Sequence, residues 1–495
     1  MLRKTRITLA IVFYTIITLL FLDFTGTIHT WFGWMAKIQF LPAVLALNLG
    51  VIIALILLTV LFGRVYCSVI CPLGVMQDIF AWFGKKQKKN RYTYSPAKNW
   101  LRYGMLGVFI VAMVAGFGGL AALIAPYSAY GRIVSNLLAP VWQWANNGLA
   151  YLAERADSYA FYETEIWFKS MPVLIVAAVT LVVLIVLAWR GGRTYCNTIC
   201  PVGTVLGFIS RFSLFKPVID TDKCVNCNLC SKNCKSSCIN IKDHKIDYSR
   251  CVACMDCIGK CNKGAIKYAW APGCCSAKKE KCEKDVDSSR RTFISATAVL
   301  ATTAAIKAQE KKVDGGLAVI EDKAIPNRKT PIVPPGALSA RNFAQHCTAC
   351  QLCVSACPNG VLRPSTDLEK FMQPEMSYER GYCRPECTKC SEVCPTGAIK
   401  LITKEDKSST QIGHAVWRKK NCIPHRDGVQ CGNCARHCPT GAIQMIPSVE
   451  GDPHSLRYPA VNVERCIGCG ACENLCPTRP FSAIHVEGHE RHKTI

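Results

Sequence analysis

Apolar residues gather in four long runs over the first 190 residues, near residues 7 to 24, 41 to 62, 104 to 126 and 171 to 189. Each is close to the roughly 20 residues that a helix needs to cross a bilayer. Together they predict a membrane α-helical domain of four transmembrane helices over residues 1–215. Beyond it the pattern changes. Apolar positions come in short pieces between closely spaced cysteines, which predicts small α+β ferredoxin-like units rather than long elements. Their expected bounds are 216–272 and 341–495, joined by a linker over 273–340.

The first run follows Met1-Leu2-Arg3-Lys4-Thr5-Arg6. No small-residue cleavage site follows it and three further runs do, so it reads as an anchor rather than a removable leader. Lys85, Lys86, Lys88, Lys89, Arg91, Lys98 and Arg102 lie between the second and third runs, whereas residues 127–170 carry as much acid as base. Basic loops stay in the cytoplasm, so both ends of this unit are expected there, with Trp31, Trp34, Trp142, Trp144, Trp167 and Trp189 at the interfaces. Gly116, Gly118 and Gly119, inside the third run, are expected to let helices pack closely.

The membrane part contains a repeat. Gly63-Arg64-Val65-Tyr66-Cys67-Ser68-Val69-Ile70-Cys71-Pro72 recurs as Gly192-Arg193-Thr194-Tyr195-Cys196-Asn197-Thr198-Ile199-Cys200-Pro201. A helical Cys-x-x-x-Cys puts its thiols one turn apart. Two facing copies would then offer Cys67, Cys71, Cys196 and Cys200, a full ligand set for an additional metal site. A thiol redox pair and a pair of helix-capping motifs are the competing readings. Arg64 and Arg193 either lower the thiol pKa values and offset a cluster's charge or serve as ordinary membrane-flanking cations. The four runs contain no histidine, so the paired imidazoles of a membrane haem are not offered, and no haem is expected.

The chain has 32 cysteines and a formal charge of +25. Cysteine binds iron as thiolate, and six [4Fe-4S] clusters at roughly −2 each remove about half of that excess. Much of the rest flanks the membrane, where it suits lipid headgroups. No basic stripe with base-stacking aromatics points to nucleic acid.

Cys224, Cys227, Cys230 and Cys234 are followed by Cys251, Cys254, Cys257 and Cys261, both with the spacing of two-cluster ferredoxins. There the fourth cysteine of each run serves the other cluster. The expected sets are Cys224, Cys227, Cys230 with Cys261, and Cys251, Cys254, Cys257 with Cys234. Zinc usually takes two separated Cys-x-x-Cys pairs instead. Lys235 and Asn262 stand where the bacterial pattern has proline, and Cys238, Cys274, Cys275 and Cys282 fit no run.

Within the linker, Ser288-Ser289-Arg290-Arg291-Thr292-Phe293-Ile294 precedes an Ala and Thr run and resembles a twin-arginine export signal. Clusters are assembled in a reducing compartment, so a cluster domain would cross the membrane already folded. Four more runs follow: Cys347, Cys350, Cys353, Cys357; Cys383, Cys387, Cys390, Cys394; Cys422, Cys431, Cys434, Cys438; and Cys466, Cys469, Cys472, Cys476. All end in Cys-Pro, and the second and third continue Pro-Thr-Gly-Ala-Ile, which predicts a turn into an apolar strand. Neighbouring runs could pair, or first with fourth and second with third.

On these residues the first 270 or so positions resemble NapH, the membrane ferredoxin-type subunit of periplasmic nitrate reduction. The remainder is similar to NapG, an exported four-cluster ferredoxin, and the whole resembles a fusion of the NapH/MauN and NapG/MauM types. The resemblance implies a protein of the bacterial inner membrane that oxidises quinol and passes electrons to a periplasmic redox partner. In that reading the first ferredoxin domain is cytoplasmic and the C-terminal one periplasmic. No nucleotide fingerprint, molybdenum-cofactor domain or catalytic triad is present, so the terminal reaction belongs to a partner. The rival reading is a maturation factor for a respiratory metalloenzyme, because assembly factors of copper oxidases are similar in the same thiol motifs.

Overall fold

The computed structural model describes the chain apart from residues 1, 24–25, 88–91, 159–160, 162, 165, 167–168, 272–320, 369, 451 and 453–454. Its N-terminal part runs through α1 (Leu2–Leu22), α2 (Leu49–Phe62), α3 (Val65–Val69), α4 (Pro72–Gln87), α5 (Asn99–Val114), α6 (Pro126–Ile133), α7 (Met171–Gly191), α8 (Thr194–Thr198) and α9 (Pro201–Ile209). Among the described residues, α1 and α7, of 21 residues each, are the two helices long and apolar enough to cross a membrane. At 1.5 Å per residue each reaches about 32 Å. Both leave apolar side chains uncovered, such as Ile11 and Val12 on α1 and Val179, Val182 and Val186 on α7.

The expected second and third spans are not single helices. The run at 41–62 divides into Phe40–Leu45 and α2 because Leu47 takes a left-handed φ of 51° and Asn48 caps the new helix, accepting from Val51 N–H at 3.3 Å. The run at 104–126 breaks after α5 at Gly116, φ 83°, before a short helix Gly118–Ile124. Gly118 and Gly119 do not pack one span on another as expected. A Cβ on Gly118 would lie 2.3 Å from Gln373 Nε2, and one on Gly119 would lie 3.0 Å from the Phe371 carbonyl. These glycines admit the C-terminal unit.

That unit and the first cysteine-rich unit sit at opposite ends of the long helices. Near the start of α1, Arg3 pairs with Asp256 at 2.8 Å. Near its end, Phe21 and the Cys350 carbonyl both press on the position of Gly131, and the position of Gly26 faces Lys389. Just before α7, Lys169 donates to the Val354 carbonyl at 2.7 Å, and just after it Arg193 N–H donates to the Lys235 carbonyl at 2.9 Å.

Strands close around the cysteine runs. β1 (Phe215–Ile219) pairs antiparallel with β2 (Ile266–Trp270), Phe215 opposite Trp270, and so brackets the first two runs. β3 (Thr410–Trp417) pairs with β6 (Ile484–Thr494) around the last two, and between them β4 (Ile443–Pro447) pairs with β5 (Arg457–Val461). The expected strand after the third run is β4. None follows the second run, because Lys400 N–H donates to the Gly336 carbonyl in an irregular segment instead. Residues 321–339 pack on the C-terminal unit, with Ile332 and Val333 buried and Arg328 paired with Glu473 at 2.5 Å. The paired Arg290 and Arg291, and Cys274, Cys275 and Cys282, lie outside the described residues.

Candidate metal centres

In the first unit Cys224, Cys227, Cys230 and Cys261 line one cavity of about 170 Å³. Cys234, Cys251, Cys254 and Cys257 line a second together with Cys238. The loops that carry these thiols share one backbone device. Left-handed residues flank the middle cysteine in four runs: Asn226 and Asn228, Ala253 and Met255, Ala349 and Gln351, Gly468 and Gly470. Alternating handedness turns successive N–H groups inward, a concavity that suits an anionic cluster. Holding a non-glycine residue there costs about 1–3 kcal/mol. Further N–H groups point at sulfur: Ala265 to Cys261 at 3.2 Å, Ile399 to Cys394 at 3.4 Å and Ala483 to Cys476 at 3.4 Å. Such donors stabilise thiolate, so the residues present fit a [4Fe-4S] cube. Among the described residues, no three metal-ligating side chains converge closely enough to hold a single ion. Burial pushes the Cys230 thiol up to about 11, while a hydrogen bond from Cys238 brings Cys234 down to about 7.

In the C-terminal unit the runs meet as neighbours. Cys394 is a charge neighbour of Cys347, Cys350 and Cys353. Cys357 is one for Cys383 and Cys390, which also adjoin Cys387. Cys438 adjoins Cys466 and Cys469, and Cys472 lies with those two. Cys422, Cys431 and Cys434 share a cavity with Cys476. First and second runs thus exchange fourth cysteines, as do third and fourth. Cys383 N–H donates to the Cys469 carbonyl at 2.9 Å and joins the two pairs. The four sites stand in one file.

The repeat in the membrane part brings all four of its cysteines together. Cys67 and Cys196 lie on α3 and α8, but these helices end before the second thiol of each motif. Cys71 and Cys200 instead begin α4 and α9, where Pro72 and Pro201 take the first helical turn. The thiols of both accept backbone N–H, from Gly74 and, at 3.3 Å, from Gly203. The two arginines cross over. Arg193 donates to the Cys67 carbonyl at 2.6 Å and lies 3.9 Å from Cys196 Sγ, while Arg64 donates to the Cys196 carbonyl at 3.2 Å and lies 3.8 Å from Cys67 Sγ. Gly74 and Gly203 make room for this, since a Cβ there would lie 2.6 Å from Arg193 and 2.9 Å from Arg64. Two fully buried guanidinium groups thus place positive charge beside the four thiols, where thiolates would carry negative charge.

Several partners of this quartet were not singled out from sequence. Asp78 receives Arg193 at 2.8 Å and Arg6 at 3.0 Å, and Gln77 Nε2 lies 3.3 Å from Cys196 Sγ. Asn197 accepts from Arg64 at 2.9 Å. The repeat held the clue. Copy two has Leu206 and Gly207 where copy one has Gln77 and Asp78, so the two arginines cannot be held alike. Arg64 reaches the Ser249 carbonyl at 3.0 Å, two residues before Cys251, and so ties the quartet to the second site of the first unit. On the other side, Tyr195 donates to the Ile124 carbonyl at 2.6 Å, and buried Arg132 has Tyr195 and Cys350 as its charge neighbours. Asn136 donates to Gln351 at 2.8 Å, beside Cys350.

Comparison with known proteins agrees with this layout. A 4Fe-4S binding domain matches residues 44–90 and 171–219, the two copies of the repeat. A 4Fe-4S dicluster domain matches 346–423 and 429–479. The chain is 38% identical over 93 residues to the uncharacterized protein MJ0749 of Methanocaldococcus jannaschii, covering 19% of the chain and 37% of that protein. It is 30% identical over 166 residues to the methylamine utilization ferredoxin-type protein MauM of Methylophilus methylotrophus, covering 32% of the chain and 72% of MauM. It is 29% identical over 238 residues to the ferredoxin-type protein NapH of Haemophilus influenzae, covering 46% of the chain and 70% of NapH. The chain thus spans little more than a third of the length of MJ0749. No solved structure matches. With cysteine cages of ferredoxin type and this degree of identity, the chain belongs to the ferredoxin-type family of MauM and is NapH- and MauM-like.

Proposed function

We propose that the chain spans a bacterial inner membrane four times and carries electrons from the quinol pool to a reductase on the outer side. Cys67, Cys71, Cys196 and Cys200 hold a seventh [4Fe-4S] cluster between the six of the ferredoxin-type runs. The observation that carries this reading is the placement of the two cysteine-rich units at opposite ends of α1 and α7, with the thiol quartet between them. When bound, such clusters supply one-electron transfer at potentials set by their surroundings. The chain's own residues hold them in file, neutralise them through Arg64 and Arg193, and keep water away with the apolar faces of the helices. The second and third spans are α2 and α5, each completed by the short helix on the far side of its break. The start of the basic loop lies outside the described side chains, but its later part, through Tyr92 and Ser95 N–H, is bonded to the Lys232 and Ser237 carbonyls. Positive loops face the cytoplasm, so in this reading the first unit lies there and the C-terminal unit outside.

Protease added to intact spheroplasts is expected to digest residues 341–495 and spare residues 216–272, and a quinol analogue is expected to bleach cluster absorbance. Purified protein is expected to hold about 28 iron atoms, and about 24 after Cys67 and Cys196 are both changed to serine. Protection of both units, or iron content indifferent to that change, overturns the proposal.

A further inference from the structure

The second cavity of the first unit holds five thiols where a cube takes four. Cys238 is fully buried, 1% exposed, and its sulfur lies 3.5 Å from that of Cys234. It lines the same cavity as Cys251, Cys254 and Cys257 and is bonded to Cys251 as well. The surrounding sequence shows how unusual this is within the chain. In the loop after each fourth cysteine, the position corresponding to Cys238 is Ala265, Ala398 and Ala442 in three sister runs, Val361 in another and Pro480 in the last, all without a polar atom on the side chain. Four residues after Cys234, the same place carries a thiol.

Contact distance decides what that thiol does. Ligands on different corners of a cube stand further apart than two touching sulfurs, so Cys234 and Cys238 at 3.5 Å do not both bind iron in this arrangement. Cys234 has the ferredoxin spacing from Cys230 and is the ligand. A buried cysteine that binds no iron is a neutral thiol, the ordinary state of the side chain near neutral pH. Its one S–H can then be donated to a sulfur beside it, and Cys234 lies within reach at 3.5 Å. A donor to a ligating thiolate withdraws charge from the cluster and favours its reduced form.

We propose that Cys238 is a positioning residue for the cluster held by Cys234, Cys251, Cys254 and Cys257, donating its S–H to the ligating thiolate of Cys234 and raising that cluster's reduction potential above its value without the thiol. This rests on the ferredoxin-type cluster assignment for this cavity, and not on the transmembrane reading. The site so tuned is the one that Arg64 joins to the membrane quartet through the Ser249 carbonyl. The thiol thus shifts electron occupancy within the first unit toward this site.

The test is a potentiometric titration of the full chain in detergent, followed by electron paramagnetic resonance, on wild type, Cys238→Ala and Cys238→Ser. Alanine is the residue the sister loops already carry, so iron content is expected to stay unchanged. One cluster signal is expected to move to lower potential in Cys238→Ala, with about a tenfold fall in its reduced-to-oxidised ratio at fixed potential, which is about 59 mV for one electron. Serine, which still donates, is expected to restore part of the shift. Loss of about four iron atoms in Cys238→Ala, with iron retained in Cys234→Ala, makes Cys238 the ligand and overturns the proposal. Unchanged potentials with iron intact overturn it too and reduce Cys238 to packing. Loss of iron from both single variants, or little iron in the wild-type cavity, would instead count against the cluster assignment itself.

Discussion

The membrane quartet and the ferredoxin-type cavities hold sulfur by different means. Around Cys227, Cys254, Cys350 and Cys469 the work is done by backbone: left-handed residues on both sides of the cysteine aim N–H groups at the cavity. Around Cys67, Cys71, Cys196 and Cys200 it is done mainly by two buried side chains, Arg64 and Arg193, each anchored on the opposite copy of the repeat. A backbone cage depends on conformation and tolerates changes of side chain. A cage of charged side chains stands or falls with single residues.

The largest expected effect tests that contrast directly. Arg193→Leu leaves Asp78 without its 2.8 Å partner and the Cys67 carbonyl without its donor. Breaking a buried pair costs roughly 3–5 kcal/mol, and the variant is expected to melt earlier in detergent and to lose about four iron atoms. Smaller is Gly131→Val. A Cβ at Gly131 would lie 2.3 Å from the Cys350 carbonyl, so overpacking of roughly 1–3 kcal/mol is expected to loosen the C-terminal unit from α6, read as faster proteolysis between the units. Smaller again is Thr440→Ala, which removes the hydroxyl 3.7 Å from Cys438 Sγ. About 1 kcal/mol or less and full iron content are expected from thermal melts and iron assay. The smallest is Ala253→Gly, at φ 48°, where glycine sheds the left-handed strain of alanine but loses more backbone entropy on folding, two effects that largely cancel. Stability is expected within about 1 kcal/mol of wild type with iron intact. A large iron loss in either of the last two variants would erase the distinction between the two kinds of cage.

Much of the ferredoxin chemistry was readable along the chain, because cysteine spacing is a local property and the loops that answer to it are local too. The meeting of Cys67 with Cys196 was readable only as a repeat. What stayed hidden depends on distant packing. Hydropathy does not report that Asn48 and Gly116 interrupt two of the four apolar runs, since neither residue lowers the average of its window by much. The joining of the two C-terminal pairs needed the chain to turn back so that Cys383 meets Cys469. The purpose of Gly118 and Gly119 was misjudged because their neighbour, Phe371 with Gln373, lies about 250 residues away in sequence. Asp78 belongs to no motif, and only the fold brings Arg6, Arg193 and Lys235 around it.

One carbonyl oxygen, that of Ser249, accepts from Arg64 at 3.0 Å and from Arg102 at 3.3 Å, and both guanidinium groups are buried. A swing of the first unit about this point would strand two cations at once in a dry joint, at a cost of several kcal/mol. The unit is therefore bolted down rather than tethered, and it works as a length of fixed cable instead of an arm that ferries charge. Transfer between this unit and the bundle is then expected to proceed at the same rate in buffer and in viscous glycerol solution, where a swinging carrier would slow in proportion to the drag.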